Sequence, residues 1–305
     1  MLEAKGLVKI YGIRRVVDGV DFRVQSGEIV GLLGPNGAGK TTTIRMLLRI
    51  IPPDAGTVTY DGAPYSDAVV NRIGYLPEER GLYRKSRVLN TIVYFASLRG
   101  VPSVEARSRA RKWLERLDIS RYADSRTEEL SKGNQQKIQF IISVLHDPEY
   151  VVLDEPFSGL DPINQGLLND IPHDLKKRGT SVIFSTHVMH QAEQLCDDIC
   201  LIDGGKVVLA GELNRIRAGF GRETAKIEFT GDPGILDTIP HIRVVEKFAN
   251  SAEVLLTDAG RTADIIAELA RRLDLRMFER RGPSLNTIFL ETVKRLRAVE
   301  GGAGG

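Results

Sequence analysis

Cysteine is nearly absent: the 305 residues hold two, Cys196 and Cys200. That pair cannot build a disulfide framework and does not complete a metal-ligand set, so both read as reduced thiols. Long apolar runs are missing too. None approaches the ~18 residues of a transmembrane helix. The opening MLEAKGLVKIYG lacks the apolar core of a signal peptide, so no secretory leader is expected. An excess of either charge is missing, with 42 basic against 40 acidic residues, and a net +2 gives no argument for nucleic-acid binding. The guanine-reading pattern N-K-x-D is absent, which argues against a GTPase.

What remains is the composition of a soluble globular protein, 42% hydrophobic, with room for one large and one small domain. Its most informative stretch is IVGLLGPNGAGKTTT, Ile29 to Thr43. Apolar residues 29–33 read as a short buried strand, and Ile44, Met46, Leu47 and Leu48 open a helical pattern. Between them lies G-x-x-x-x-G-K-[ST]: Gly34, Gly39, Lys40, Thr41. Glycines let consecutive backbone N–H groups turn into one concavity, and the following helix aims its positive end there. Gly34, Pro35, Asn36, Gly37, Ala38, Gly39, Lys40, Thr41 and Thr42 are therefore expected to cradle a polyphosphate. Lys40 supplies a cation for the outer phosphates, and the Thr41 hydroxyl can ligate Mg²⁺.

Before this loop, residues 1–27 read as two or three strands with a turn at Asp18-Gly19. After it, a helix runs to about Ile50, residues 56–62 form a strand and turn, and Arg72–Leu76 form a strand. From about 78 to 131 the pattern is helical: a helix over Thr91–Leu98, then one capped by Ser103 with Trp113 in its core. A helix over Gln135–His146 leads to the buried strand Tyr150–Asp154. Another helix follows Pro162 and is predicted to break near Asn169–Ile171, because Pro172 removes a hydrogen bond. Ser181–Thr186 is the next buried strand, and 199–209 a hairpin. Strands alternating with helices imply a largely parallel sheet covered on both faces.

Near Phe220 the pattern restarts. The predicted order is β-β-β-α-β-α, with helices capped by Thr262 and Ser284 and an unassigned apolar stretch at 234–239. The expected organisation is a large α/β domain over 1–220, a small α+β domain over 221–297 and a disordered tail over 298–305. Residues 271–297 carry eight basic against three acidic side chains, either an ordinary solvated face or a surface for anionic lipid or an acidic partner.

Further motifs accompany the phosphate loop. Asp154-Glu155-Pro156 ends an apolar strand, Leu130-Ser131-Lys132-Gly133-Asn134-Gln135-Gln136 lies upstream of it, and Ser158-Gly159-Leu160-Asp161 follows. His187 ends the next strand and Tyr11 precedes the loop. Together, over about residues 1–215, the chain resembles the ATP-binding subunits of ABC (ATP-binding cassette) transporters. The resemblance implies a P-loop NTPase (RecA-like) α/β fold. That fold has a parallel sheet, an N-terminal antiparallel β subdomain and an inserted helical subdomain, here with the C-terminal α+β domain added.

It also implies roles. Tyr11 would stack on adenine, Asp154 would hold Mg²⁺ together with Thr41, and Glu155 would be the general base for the attacking water. His187 would contact the γ-phosphate, and Lys40 would serve catalysis as well as binding. Ser131, Gly133 and Asn134 would reach an ATP held by another subunit. Two positions depart from the usual signature, Lys132 for Gly and Asn134 for Gln. Glu78 stands where many relatives have Gln; its carboxylate would approach Mg²⁺. The run Gly282 to Leu290 is similar to the end of ATPases from exporters of the sodium-extrusion and drug-resistance kind.

With one phosphate loop and one signature per chain, the resemblance implies a head-to-tail dimer closing over two ATP. It implies a separate membrane permease touched by the 78–131 lobe, a cytoplasmic place on the inner face of the membrane, and no nucleic-acid partner. The alternatives are a soluble ABC ATPase acting on nucleic acid or ribosomes, and a regulatory module that holds ATP without turnover.

Overall fold

The structure, a computed structural model, describes residues 1–79, 81–220 and 223–302, with side chains to residue 296. The chain divides into two compact units, Met1–Ala210 and Gly211–Gly305. The boundary expected at 220 adjoins residues 221–222, which lie outside the described residues.

In the first unit β1 (Leu2–Tyr11) and β2 (Arg14–Val24) pair antiparallel around a turn at Gly12-Ile13. The turn expected at Asp18-Gly19 is not there. Gly19, at φ +72, is the extra residue of a bulge inside β2, between the pairs Leu7–Val20 and Val8–Asp18. A left-handed Asp-Gly step serves a bulge as well as a hairpin, so the local signal is ambiguous. Next come β3 (Ile29–Leu33), α1 (Lys40–Leu47), β4 (Ala55–Tyr60), β5 (Ala63–Pro64), α2 (Asp67–Val70) and β6 (Ile73–Leu76). The helical insert contains α3 (Val88–Leu98) and α4 (Ser103–Arg116). After α5 (Lys132–Val144) the unit alternates: β7 (Tyr150–Asp154), α6 (Pro162–Lys177), β8 (Ser181–Thr186), α7 (Met189–Leu195), β9 (Asp198–Asp203), β10 (Lys206–Glu212).

These strands form a sheet ordered β10-β9-β3-β8-β7-β6 and an antiparallel one ordered β2-β1-β4-β5. From β9 to β6 the first sheet is parallel. Every residue of β3, β7 and β8 is buried, as expected of central parallel strands with helices on both faces. The register sets Leu33 beside Thr186, and Asp154 beside Ser185. The loops leaving β3, β7 and β8 therefore share the carboxyl edge of the sheet, where open α/β folds bind ligands.

Several local expectations are corrected. α6 runs unbroken from Pro162 to Lys177 through Pro172. Leu168, Ile171, Pro172 and Leu175 are all buried on its inner face, and that packing offsets the hydrogen bond the proline removes. Ser103 and Thr262 are the first residues of their helices rather than the caps, which are Pro102 and Arg261. Ala106, Ala110, Leu114 and Leu117 are core, but Trp113 is only half-buried, with the Arg116 guanidinium 5.2 Å from its ring centre. Both cysteines are free and buried, and burial pushes the Cys200 thiol up to about 12.

The second unit contains α8 (Leu213–Gly219), β11 (Thr224–Thr230), β12 (Ile242–Lys247), β13 (Ser251–Leu256), α9 (Thr262–Arg272), β14 (Asp274–Arg281) and α10 (Leu285–Gly302). Its antiparallel sheet is ordered β12-β13-β11-β14. Ala225, Ile227, Phe229, Val254 and Leu256 pack with Ile265 and Leu269 of α9. The unassigned stretch is a 3₁₀ turn, Pro233–Thr238, that buries Leu236. Ser284 caps α10 as expected, accepting the Thr287 N–H at 3.1 Å. Buried Glu253 adds to this anchor: it accepts from the Thr287 hydroxyl at 2.5 Å and from Arg281 at 2.8 Å. α10 continues to Gly302, into the range expected as tail, and 303–305 lie outside the described residues. The basic stretch is largely neutralised. Arg271 and Arg272 pair with Glu268, Arg276 with Asp274, Arg280 with Glu223, and Lys294 with Glu291. Arg297 lies beyond the described side chains.

Candidate active site

The phosphate loop leaves β3 at Gly34, whose φ is +149. A Cβ there would lie 2.1 Å from the Ile202 carbonyl oxygen, so only glycine fits. α1 starts at Lys40, directly behind Gly39, whose carbonyl accepts from the Thr43 hydroxyl at 2.9 Å and the Thr43 N–H at 2.9 Å. Over the loop opens a cavity of about 310 Å³, lined by Val16, Asn36, Gly37, Gly39, Lys40, Thr41, Thr42, Glu78 and Glu155. Lys40 is buried. Its ammonium donates to the Gly34 carbonyl at 2.8 Å and the Pro35 carbonyl at 3.2 Å, and lies 3.7 Å from Glu155 Oε1.

The two carboxylates that end β7 are treated differently. Asp154 is fully buried, and neither of its oxygens has a hydrogen-bond partner; the neighbouring Ser185 hydroxyl also has none. Burial raises the Asp154 carboxyl above its ordinary range; the nearby Ser185 and Thr41 hydroxyls oppose the rise, and the Glu78 and Glu155 charges reinforce it. A buried carboxylate left unpaired is costly unless a cation meets it. With the Thr41 hydroxyl and Glu78 on the same side, this all-oxygen set fits a hard divalent ion such as Mg²⁺. Tyr75, pushed up to about 12 by burial and the Asp154 charge, remains a neutral phenol beside it.

Glu155 sits just past β7 at φ +48, a left-handed conformation uncommon for a side chain of its kind. Its Oε1 meets His187 Nδ1 at 2.9 Å and Oε2 faces the Thr186 hydroxyl at 3.4 Å. Thr186 donates to Gln191 Oε1 at 2.9 Å.

The structure thus gathers the 34–42 loop, Asp154, Glu155, His187 and Glu78 at one edge. The signature residues do not line this cavity. Ser131 instead caps α5, its hydroxyl accepting the Asn134 N–H at 3.3 Å, and a Cβ on Gly133 would lie 3.2 Å from Leu160 Cδ2. Tyr11 is half-exposed at the end of β1, with the Lys9 ammonium 5.8 Å from its ring centre, and does not line the cavity either. Val16, unnoticed in sequence, does line it. Thr186 and Gln191 were missed as well. Thr186 adjoins His187 at a strand end, a clue available in sequence, whereas Gln191 is recognisable only once α7 is folded.

Comparison with known proteins places these features. An uncharacterized ABC transporter ATP-binding protein of Bacillus subtilis, YhaQ, is 42% identical over 293 residues, 96% of this chain and 98% of the relative. The chain belongs to the ABC transporter ATP-binding proteins. This ABC ATPase matches the family pattern described as ABC transporter over residues 17–158, and that of the ATP-binding protein DrrA1-3-like, C-terminal domain, over 211–293. Nod factor export ATP-binding protein I of Paraburkholderia xenovorans is 34% identical to it, over 96% of this chain and 97% of the relative. A solved ATP-binding subunit of an ABC transporter superposes with a TM-score of 0.67 at 32% identity, covering 72% of this chain and 93% of that one. A second cassette, 22% identical with a TM-score of 0.65 over 70% and 99% of the two chains, shares the fold. Membership makes the chain an ATP-binding ATPase of the ABC type. Among the described residues no helix is long and apolar enough to cross a membrane.

Proposed function

We propose that this ABC ATPase dimerises head-to-tail around two ATP and drives a separate membrane permease, as an exporter. The catalytic part of this reading is carried by one observation: Glu155 bridges His187 at 2.9 Å and Lys40 at 3.7 Å over the phosphate loop, next to the unpaired carboxylate of Asp154. Thr41, Asp154 and Glu78 would hold Mg²⁺, which when bound supplies positive charge against the phosphates. The loop amides and Lys40 bind and orient the triphosphate. Glu155 takes a proton from the attacking water, and His187 fixes the Glu155 carboxylate and reaches towards the γ-phosphate. Tyr11 serves adenine.

Ser131, Gly133 and Asn134 stand at the tip of α5, away from the cavity lining, so they are offered to the nucleotide of a second copy. The domains are taken as 1–220 and 221–297, with the helical lobe at 78–131 as the permease contact. Such an assembly would sit on the inner face of the membrane. Export is supported by the relatives' descriptions, Nod factor export and linearmycin resistance.

The test is Glu155→Gln. ATP binding should persist, phosphate release should fall by roughly 10²–10⁴-fold, and light scattering should show the variant doubling its mass with ATP. Release at the wild-type rate refutes the base; a strictly monomeric chain at full turnover refutes the dimer.

A further inference from the structure

The end of β8 holds a hydrogen-bond arrangement that the proposed mechanism does not use. Thr186 is fully buried, and its hydroxyl oxygen accepts the Val188 N–H at 3.1 Å. A hydroxyl has a single proton to give. Two acceptors compete for it here, Gln191 Oε1 at 2.9 Å and Glu155 Oε2 at 3.4 Å. The shorter bond wins, since 3.4 Å is at the weak limit for an O–H donor. Turning the Gln191 amide over would put a donor against this oxygen and push its proton onto the longer contact, so the observed orientation gives the better bond.

The consequence falls on Glu155. Its Oε1 is occupied by His187 at 2.9 Å, with Lys40 at 3.7 Å. Among the described residues Oε2 has no donor but the distant Thr186 hydroxyl. As long as Gln191 holds the Thr186 proton, Oε2 carries no close hydrogen bond and keeps its full strength as a proton acceptor. Without that acceptor the hydroxyl turns to Glu155, occupies one of the Oε2 lone pairs and weakens the carboxylate as a base. Gln191 lies in the first turn of α7, whose entry is fixed by the Val188 N–H on the same hydroxyl. Helix and base are thus linked through one oxygen.

We propose that Gln191, acting through Thr186, is a positioning residue that keeps Oε2 of Glu155 free of a close donor, so that the carboxylate stays a strong base for the attacking water. This rests on the reading of Glu155 as the base. Gln191 touches no substrate, so its removal acts on turnover and not on nucleotide affinity.

The experiment is a double-mutant cycle on the full chain, read as phosphate release at varied Mg·ATP, with melting temperatures taken in parallel. Gln191→Leu should lower kcat about tenfold, a part of the roughly 10²–10⁴-fold that a general base contributes, with KM unchanged. Gln191→Glu, which keeps an oxygen acceptor, should recover most of the loss. In a Thr186→Val background Gln191→Leu should cost nothing further, because no hydroxyl is left to redirect. Equal losses in both backgrounds, a loss as large in Gln191→Glu as in Gln191→Leu, or a fall in kcat that follows melting temperature alone would each overturn the proposal. A wild type that turns over ATP beside an unimpaired Gln191→Leu removes the positioning role and leaves the function standing. A wild type that binds ATP and releases no phosphate removes the base assignment, and this role with it.

Discussion

Two glycines of the phosphate loop look alike in sequence and differ sharply in space. A methyl on Gly34 would sit 2.1 Å from the Ile202 carbonyl oxygen, where contacts under 3.0 Å essentially never occur. Gly37 has φ +79 and nothing within 4 Å of the added carbon. Gly37→Ala therefore carries only left-handed strain, about 1–2 kcal/mol. Gly34→Ala carries its backbone penalty plus the overlap, about 2–6 kcal/mol together. For a unit of this size each kcal/mol moves the melting point by roughly 2–4 °C. Gly37→Ala should then melt about 2–8 °C below wild type, and Gly34→Ala about 4–24 °C below it. Differential scanning calorimetry without nucleotide isolates the effect, since bound ATP would stabilise each variant according to its affinity. Equal melting points, or the reverse order, would show that the close approach of β9 to the loop does not constrain Gly34.

Lys40→Ala should weaken ATP binding itself, measured by equilibrium dialysis; unchanged affinity would remove Lys40 from the phosphate grip. Glu28 gives a pH effect. Burial first, then the Asp198 hydrogen bond, push its carboxyl up to about 7 from 4.5. A carboxyl raised on folding favours the fold while both states keep the proton, and that advantage is lost as pH rises through the folded value. The melting temperature of Glu28→Gln minus wild type should therefore grow between pH 5 and pH 7.5; a flat difference would refute it.

Much of the site was legible because its chemistry is local. The loop at 34–41, the carboxylate pair at a strand end and the histidine at the next each stand on contiguous residues, and the three strands carrying them were bounded correctly as 29–33, 150–154 and 181–186. What sequence reasoning missed depends on distant packing. Gly19 reads as a turn because the Asp-Gly pair does not reveal that β1 stays paired across it. Pro172 reads as a break because its missing hydrogen bond is local, whereas the buried face of α6 that outweighs it is not. Val16 and Gln191 reach the site only through the folded sheet. The basic stretch of the second unit reads as a charged surface until Glu223 and Glu253, distant from it in sequence, are brought to Arg280 and Arg281.

The position of β3 has a consequence for synthesis. It is held between β8 and β9, and Ile29 pairs with Val182 and Val30 with Asp198. A ribosome adding about 5–20 residues per second takes roughly 8–30 s to travel from one to the other. Throughout that interval the apolar strand and its glycine loop have left the exit tunnel without neighbours on either edge. The sheet edge on which the phosphate loop stands is therefore incomplete in the nascent chain until β8 and β9, close to the end of the first unit, have emerged.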